Sequence, residues 1–166
     1  PADAVPPLST LATADLVTAA ADTPHAPVMR YVDELTAAAT EKVWGVTPVR
    51  SEMYEHGHEQ LLEAGVETEL VIPAEVVERQ RESEPGAFAE ALGVDGFAVY
   101  VTDDQPGFGL SVTDDRAFLG GYCEDNQLQA LAVSSDDAFV SWAERRFARL
   151  RDAAEQVPGR RAEVET

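Results

Sequence analysis

The sequence predicts an α/β fold: a mixed sheet in which parallel strand–helix units precede an antiparallel meander, with helices on its faces. A short apolar segment, 43–46, and a weakly alternating segment, 66–72, are each predicted as a strand followed by a helix, the order that parallel strands with crossover helices require. A long amphipathic segment over 136–156 can cover one face of the sheet. Three β-rich segments with only short polar turns between them predict the meander: 108–112, 117–122 and 128–133.

The N-terminal segment is predicted to contain a linker and two helices. Residues 1–7 include three prolines and show no apolar periodicity. Apolar side chains on one side favour a helix over 10–21, which Pro24 and Pro27 terminate. A second helix is predicted over 28–39, where apolar side chains recur at helical spacing.

Strands and helices alternate in the middle of the chain. The strand over 43–46 ends before Pro48, and a helix over 51–64 follows it, closed by Gly65. Pro73 suits the first turn of the next helix. The remaining elements before the meander are that helix, ending at Glu78 or Arg81, a short helix over 87–92 and a strand over 97–101.

Turn chemistry and the lack of a repeat set the expected boundaries. Asp and Asn in the turns 113–116 and 124–127 tolerate left-handed backbone and close hairpins. We see no internal repeat and no second core, and expect one α/β domain over 41–156. Residues 1–40 are expected to form an N-terminal linker with helices, and 157–166 a flexible tail.

An excess of acidic residues is the strongest compositional signal. The chain has 31 Asp and Glu against 12 Lys and Arg, a net charge of −19 and an isoelectric point near 4.3, and Lys42 is its single lysine. Such a surface suits high salt, where the Debye length is about 3 Å at 1 M and self-repulsion is screened. We interpret it as halophilic; an acidic cytosolic protein from a moderate environment is the alternative. Because DNA requires a basic footprint, this surface is not expected to bind DNA.

The single cysteine and the absence of long apolar runs indicate a cytoplasmic protein. Cys123 has no second cysteine to pair with, so a reducing compartment is the simplest expectation. The neighbouring Glu124 and Asp125 oppose thiolate formation, and no redox role is predicted. We find no signal peptide and no apolar run of the ~20 residues that a membrane span needs. The chain begins at Pro1, which suggests a fragment or a processed chain.

An ordered set of short runs resembles a known family. The runs are Val43-Trp44-Gly45-Val46, Glu63-Ala64-Gly65, Leu70-Val71-Ile72-Pro73, Phe108-Gly109-Leu110-Ser111-Val112, Asp114-Asp115-Arg116, Leu119-Gly120-Gly121-Tyr122 and Trp142-Ala143-Glu144. Over about 41–154 the chain resembles the effector (middle) domain of archaeal winged-helix transcription regulators, the group that includes the methanogenesis regulator FilR and haloarchaeal relatives. The effector domains of TrmB-type sugar-responsive regulators and the haloarchaeal TrmB suppressor are more distant resemblances.

The resemblance implies a phospholipase-D-like α/β fold without phospholipase chemistry. It also implies a winged helix-turn-helix domain, normally N-terminal, for which residues 1–23 are too short. DNA would be contacted only through that domain. A homodimer would match two-fold operators, and the effector would be a small molecule whose identity the resemblance does not supply.

A ligand site is predicted at the carboxyl ends of the strands, where ligands of open α/β sheets collect. Trp44, Arg50, Tyr54 and His56 lie in or just after the first strand, and Tyr122 lies at a glycine-flanked strand end. Arg50 would pair with an anionic group of the effector. The alternative is that Trp44 belongs to the core and Arg50 is a surface charge.

The histidine cluster is not expected to bind a metal or to catalyse a reaction. His56 and His58 point in different directions on a helix, and Gly57 weakens that helix. Phospholipase D chemistry requires a His, a Lys and an Asp in one motif, and no Lys lies near these histidines. We therefore predict no catalytic residue, no metal and no cofactor.

The last helix carries arginines among its apolar residues, which allows two interpretations. Arg145, Arg146, Arg149 and Arg151 would contact DNA in one of them. In the other, which we favour, the apolar stripe packs on the sheet and the arginines pair with acidic surface groups.

The combined hypothesis is the ligand-sensing and dimerisation domain of a haloarchaeal winged helix-turn-helix regulator. An effector that binds one dimer arrangement better would change the spacing of the attached DNA-binding heads. One alternative is a phospholipase-D-like or hydrolase-type enzyme, which the lack of a Ser/His/Asp or Lys-supported His arrangement opposes. The other is an adaptor domain without a small ligand.

Overall fold

The computed structural model describes residues 5–37, 40–48, 52–104, 106–124 and 126–158, and of residues 52–57 only the backbone. The strands are β1 (Asp15–Thr18), β2 (Lys42–Val46), β3 (Glu67–Pro73), β4 (Phe97–Thr102), β5 (Gly109–Val112), β6 (Ala117–Tyr122), β7 (Leu128–Ser134) and β8 (Glu155–Gln156). The helices are α1 (Leu8–Thr13), α2 (Ala26–Ala37), α3 (Glu52–Glu63), α4 (Ala74–Ser83), α5 (Pro85–Leu92) and α6 (Asp137–Asp152).

All these strands join one mixed sheet, in the order β1-β7-β6-β5-β2-β3-β4-β8. β2, β3 and β4 run parallel, and every other neighbouring pair is antiparallel. α3 connects β2 to β3, and α4 and α5 connect β3 to β4, as parallel neighbours require. β5, β6 and β7 form the meander. The predicted α/β class, with parallel units followed by a meander, is therefore confirmed.

Helices cover both faces of the sheet. Side chains of α2 and α3 pack on one face around Tyr31, Leu35 and Phe118. α4 and α5 extend this layer over β4. On the opposite face α6 packs Phe139, Trp142 and Phe147 against β2, β5 and β6. Since side chains alternate along a strand, Val43 belongs to the α2–α3 side and Trp44 to the α6 side.

Local chemistry explains where α6 begins and where α6 and α3 end. Asp136 caps α6, because its carboxylate accepts a hydrogen bond from the backbone N–H of Ala138 at 2.9 Å. Arg149 and Arg151 lie in the last turn of α6, where cations favour the negative end of the helix dipole. Gly65 follows α3 with a φ of +80°, a backbone conformation that glycine adopts without a steric penalty.

Two of the predicted helices are wrong in part. The helix expected over 10–21 ends at Thr13, and 15–18 forms β1, antiparallel to β7. The free edge of β7 offers backbone hydrogen bonds to residues 15–18. The short apolar pattern of residues 10–21 favours a helix too weakly to compete with this strand pairing. The helix expected over 136–156 ends at Asp152, and 155–156 forms β8 beside β4.

The segments outside the expected 41–156 domain take part in the same core. Tyr31 and Leu35 of α2 are 7% and 0% exposed and belong to one apolar cluster with Phe118 and Leu131 of the sheet. Val157 is 6% exposed, and its backbone N–H donates to the carbonyl oxygen of Val99 at 2.8 Å. α2 and the residue after β8 thus pack as part of the α/β unit.

Candidate functional site

Four strand ends meet at one edge of the sheet. β2 reaches this edge at its carboxyl end, Val46, which lies opposite Leu110 of the antiparallel β5. Gly109, at the start of β5, pairs with Gly120 near the end of β6. Tyr122 then pairs with Leu128 at the start of β7. This is the edge at which the sequence predicted a ligand site.

A small cavity lies behind this edge, between the sheet and the α2–α3 layer. Its volume is about 20 Å³, enough for one water-sized group. None of its described wall residues is Asp, Glu, Lys or Arg. These residues are Tyr31, Val46, Thr47, His58, Gly109, Leu110, Ser111, Phe118, Gly120, Tyr122, Leu128 and Leu131.

Two hydroxyl groups are paired in the cavity wall. The hydroxyl of Tyr31 and Oγ of Ser111 lie 2.7 Å apart and are buried. The ring of Tyr31 meets the ring of Phe118 edge to face, with 5.2 Å between ring centroids. Because buried polar groups are costly when unpaired, this hydrogen bond fixes both side chains at the cavity.

Glycines at two strand positions shape the cavity. A Cβ at Gly109 would lie 3.0 Å from the hydroxyl oxygen of Tyr122, and a Cβ at Gly120 would lie 2.7 Å from a methyl carbon of Leu128. Neither position accepts a side chain unless a neighbour moves. The absence of a side chain at these two strand positions therefore lets Tyr122 and Leu128 close over the backbone.

His58 is the unusual polar group of the cavity. Its side chain is buried, with 8% exposure, and its Nε2 has no hydrogen-bond partner among the residues that the structure describes. Burial lowers the pKa of His58 to about 4, because an apolar environment disfavours the charged imidazolium. The imidazole is therefore neutral at neutral pH, and within the described part of the chain its Nε2 is unsatisfied.

The structure separates two of the predicted site residues. Tyr122 lines the cavity and is half-buried. Trp44 lies on the other face of the sheet, stacked on Phe147 at 5.3 Å between ring centroids. Lys42 Nζ lies 4.1 Å from the Trp44 ring centroid and the guanidinium carbon of Arg151 lies 5.5 Å from it. Trp44 therefore packs with α6 and does not reach the cavity.

The other predicted site residues are described only in part. Arg50 lies outside the described residues, so its anion-pairing role stays a prediction. Tyr54 and His56 belong to α3, whose backbone leads into the described His58, but their side chains lie outside the description. Their ligand-binding roles also stay predictions.

Sequence reasoning did not single out Tyr31, His58 and Ser111 as site residues. One signal was available for His58, because it lies three residues before Leu61 on α3, and residues at that spacing share a helix face. Leu61 is 4% exposed and belongs to the core. Ser111 alternates with Leu110 in β5, but only the tertiary fold shows that Tyr31 lies opposite it.

The described cavity residues do not form a catalytic pair. A nucleophilic serine needs a base within about 2.6–3.2 Å, whereas Ser111 Oγ bonds the Tyr31 hydroxyl and His58 Nε2 bonds no described residue. Over the same part of the chain, no group of three His, Cys, Asp or Glu side chains is placed to hold a metal ion. Within the described ranges, no helix combines the length and apolar character needed to cross a bilayer.

The α6 face has a separate groove of about 280 Å³. It is bordered by Trp44 of β2, by Glu67 and Glu69 of β3, and by Gly96, Phe97 and Ala98 at the start of β4. Glu69 in its wall is paired with Arg151 at 3.2 Å and accepts a hydrogen bond from the Tyr100 hydroxyl at 3.2 Å. The favoured interpretation of α6, packed on the sheet with an arginine paired to an acidic group, is thus confirmed for Arg151.

Solved structures share this fold at low sequence identity. TrmBL2, an archaeal chromatin protein, has a TM-score of 0.64 and 13% identity, over 87% of this chain and 53% of TrmBL2. NucT from Helicobacter pylori has a TM-score of 0.64 and 10% identity, over 87% and 98% of the two chains. Phosphatidylserine synthase from Haemophilus influenzae has a TM-score of 0.61 and 14% identity, over 88% and 40%.

These similarities confirm the expected phospholipase-D-like α/β fold. The chain spans about half the length of TrmBL2 and less than half of the synthase. A comparison with curated protein sequences finds no match. Residues 24–153, more than three quarters of the chain, match the family described as the middle domain of the methanogenesis regulatory protein FilR1. The chain therefore belongs to this family of regulatory middle domains.

Proposed function

We propose that this chain is the ligand-sensing domain of an archaeal transcription regulator and that its effector binds at the cavity beside Tyr122. The observation that carries the proposal is the cavity itself. It lies at the carboxyl end of β2, has mostly apolar walls and contains Nε2 of the buried His58, which has no hydrogen-bond partner among the described residues. Mostly apolar walls with a few placed polar groups are typical of small-molecule sites.

The position of the cavity supplies a sensing mechanism. Its walls come from α2 and α3 on one side and from β2, β5, β6 and β7 on the other. A ligand that enters between the helices and the sheet would favour one relative placement of these layers. An equilibrium shifts only as far as the ligand binds one state better than the other, so the α2–α3 layer is the element that we expect to move.

DNA recognition is assigned to a separate winged helix-turn-helix domain, and dimerisation to this chain. The net charge of −19 opposes direct binding of DNA by this surface. TrmBL2, a described DNA-binding archaeal protein, has about half of its length in common with this fold. A homodimer would place two attached DNA-binding domains at the spacing of the half-sites of a two-fold operator.

The composition supports a haloarchaeal origin and a cytoplasmic location for the protein. Acidic residues outnumber basic ones 31 to 12, and Lys42 is the single lysine. A surface with many carboxylates stays hydrated at high salt, where screening removes the repulsion that destabilises it in dilute buffer.

An enzymatic function is the second candidate, because NucT and phosphatidylserine synthase share the fold. Structural similarity at 10% and 14% sequence identity supports a common fold but does not support a common activity. Membership in a family of regulatory middle domains favours sensing over catalysis. So does the hydrogen bond of Ser111 Oγ to Tyr31, since His58 Nε2 bonds neither Ser111 nor any other described residue.

A metabolite screen by thermal shift in concentrated KCl tests the proposal. We expect at least one compound to raise the Tm of the unmodified chain, since a ligand that binds only the folded state stabilises it by RT ln(1 + [L]/Kd). The Tyr122→Leu variant should lose this response. Tyr100→Leu is the matched control, because Tyr100 is a half-buried tyrosine on the α6 face of the sheet. No response to any compound, or the same response in both variants, would refute the proposal.

A further inference from the structure

We propose that the effector inserts an uncharged hydroxyl group into the cavity and that His58 is the residue that hydrogen-bonds it. This inference rests on the proposed sensing function and specifies the chemistry of the ligand. The effector would thus be an alcohol, with its hydroxyl inside the protein and its larger body at the mouth of the cavity.

The size of the cavity limits what can enter. A volume of about 20 Å³ holds one water-sized group, and a hydroxyl group has that size. The rest of the ligand must lie outside, where Thr47 and Tyr122 are only half-buried. Tyr122 is at the end of β6, next to a register irregularity between Gly121 and Tyr122, and it presents an aromatic ring to the body of the ligand.

The described walls of the cavity offer no opposite charge to a charged ligand group. None of the described lining residues is a carboxylate, a lysine or an arginine. Against these residues, an inserted ammonium or carboxylate group would be desolvated without an opposite charge, which costs far more than the burial of a hydroxyl group.

The hydrogen bonding in the wall selects His58 as the partner. Tyr31 and Ser111 already bond each other at 2.7 Å. His58 Nε2 is buried and has no partner within the part of the chain that the structure describes, and a buried unpaired polar atom is destabilising. A ligand hydroxyl both donates and accepts hydrogen bonds, so it can satisfy Nε2 in either neutral tautomer of the imidazole.

Three probes with the same ring separate the alternatives: benzyl alcohol, benzylamine and benzoate. Each is titrated into the unmodified chain in concentrated KCl, with the imidazole ¹⁵N signals of His58 observed by NMR. We expect benzyl alcohol to bind and to shift the Nε2 signal. The two charged probes should bind at least about tenfold more weakly, because each would carry an unpaired charge into the cavity.

Two substitutions test the role of His58. His58→Leu should weaken benzyl alcohol binding roughly tenfold, the effect of losing one neutral hydrogen bond. His58→Gln keeps an amide group near the position of Nε2 and should retain most of the affinity. His25→Gln is the matched control, since His25 is exposed, and it should bind as the unmodified chain does. The NMR titration of the unmodified chain gives its answer whether or not the variants fold.

Several outcomes would overturn the inference: equal or tighter binding of a charged probe, an unshifted Nε2 signal, undiminished binding by His58→Leu, or binding of none of the three. The last result would mean that the cavity holds water only. The proposed function is judged separately by the metabolite screen. A charged metabolite that binds in a Tyr122-dependent manner would preserve sensing and refute the hydroxyl chemistry, whereas a screen without any response refutes sensing.

Discussion

At the scale of single residues, His58 couples the stability of the fold to pH. Its pKa is about 4 in the folded chain and about 6.5 when solvated. A depressed folded-state pKa means that the unfolded state takes up the proton first as pH falls. The contribution of neutral His58 is therefore complete above about pH 6.5 and is lost progressively between about 6.5 and 4.

Urea unfolding at about pH 7.5 and pH 5 measures this effect. We expect His58 to account for a loss of about 2 kcal/mol between these two pH values, from the proton-linkage relation. Other groups also titrate, so the test compares variants. Between these pH values the free energy of unfolding of His58→Leu should fall by about 2 kcal/mol less than that of the unmodified chain. The His25→Gln variant, whose substituted residue is exposed, should lose the same free energy of unfolding as the unmodified chain. The same pH dependence in all three would contradict the assignment.

Gly120 and Gly121 give a matched pair for a steric prediction. A Cβ at Gly120 would lie 2.7 Å from a methyl carbon of Leu128, whereas a Cβ at Gly121 would meet no atom within 4 Å. Gly120→Ala should push Leu128 and lower the free energy of unfolding by about 1 kcal/mol or more. Gly121→Ala should change it by less than about 0.5 kcal/mol. Chemical denaturation of both variants checks this, and equal effects would show that Leu128 yields freely.

At the same scale, the candidate site was only partly predictable. Tyr122 was selected because of its glycine-flanked strand end, and it lines the cavity. Trp44 was selected for its place near the carboxyl end of β2, but strand alternation directs it to the α6 face. The pairing of Tyr31 with Ser111 joins residues far apart in the chain, and no local pattern encodes such a contact.

At the scale of the elements, α6 depends on its N-terminal cap. Asp136 accepts a hydrogen bond from the N–H of Ala138, and Asp136→Ala should therefore destabilise the chain by about 1 kcal/mol. Asp33→Ala is the control, since Asp33 is exposed within α2 and caps no helix. Guanidinium chloride unfolding of both variants measures the difference. A cost for Asp33→Ala as large as that for Asp136→Ala would argue for a general charge effect instead.

Elements with strong local signals were predicted well, and those that depend on distant partners were not. The buried strand β2 and the α3 helix closed by Gly65 follow from apolar pattern and turn chemistry. β1 and β8 were missed because both are short segments whose hydrogen bonds come from β7 and β4. Their local sequence favours a strand no more than a helix, so the free edges of the sheet decide their structure.

At the scale of the whole molecule, the net charge of −19 makes stability depend on salt. Self-repulsion opposes the compact state in dilute buffer, and salt screens it with a Debye length of about 8 Å at 0.15 M and 3 Å at 1 M. We expect the Tm to rise steadily from low KCl to about 2 M. Urea and guanidinium chloride provide the control, because low concentrations of the ionic denaturant should stabilise the chain while urea destabilises it from the start. A Tm independent of KCl would refute the halophilic interpretation.

The same charge predicts how this chain behaves towards DNA. Binding of a basic protein weakens as salt rises, because phosphate contacts release counterions. This acidic chain should show no binding to duplex DNA by fluorescence anisotropy at any salt concentration, since lower salt only strengthens the repulsion. Among the arginines of α6, Arg151 is already paired with Glu69, and the apolar side of the helix is packed against the sheet. If this chain alone binds DNA, and the binding weakens with added salt, the chain contacts DNA directly. The separate DNA-binding domain of the proposed function would then be unnecessary.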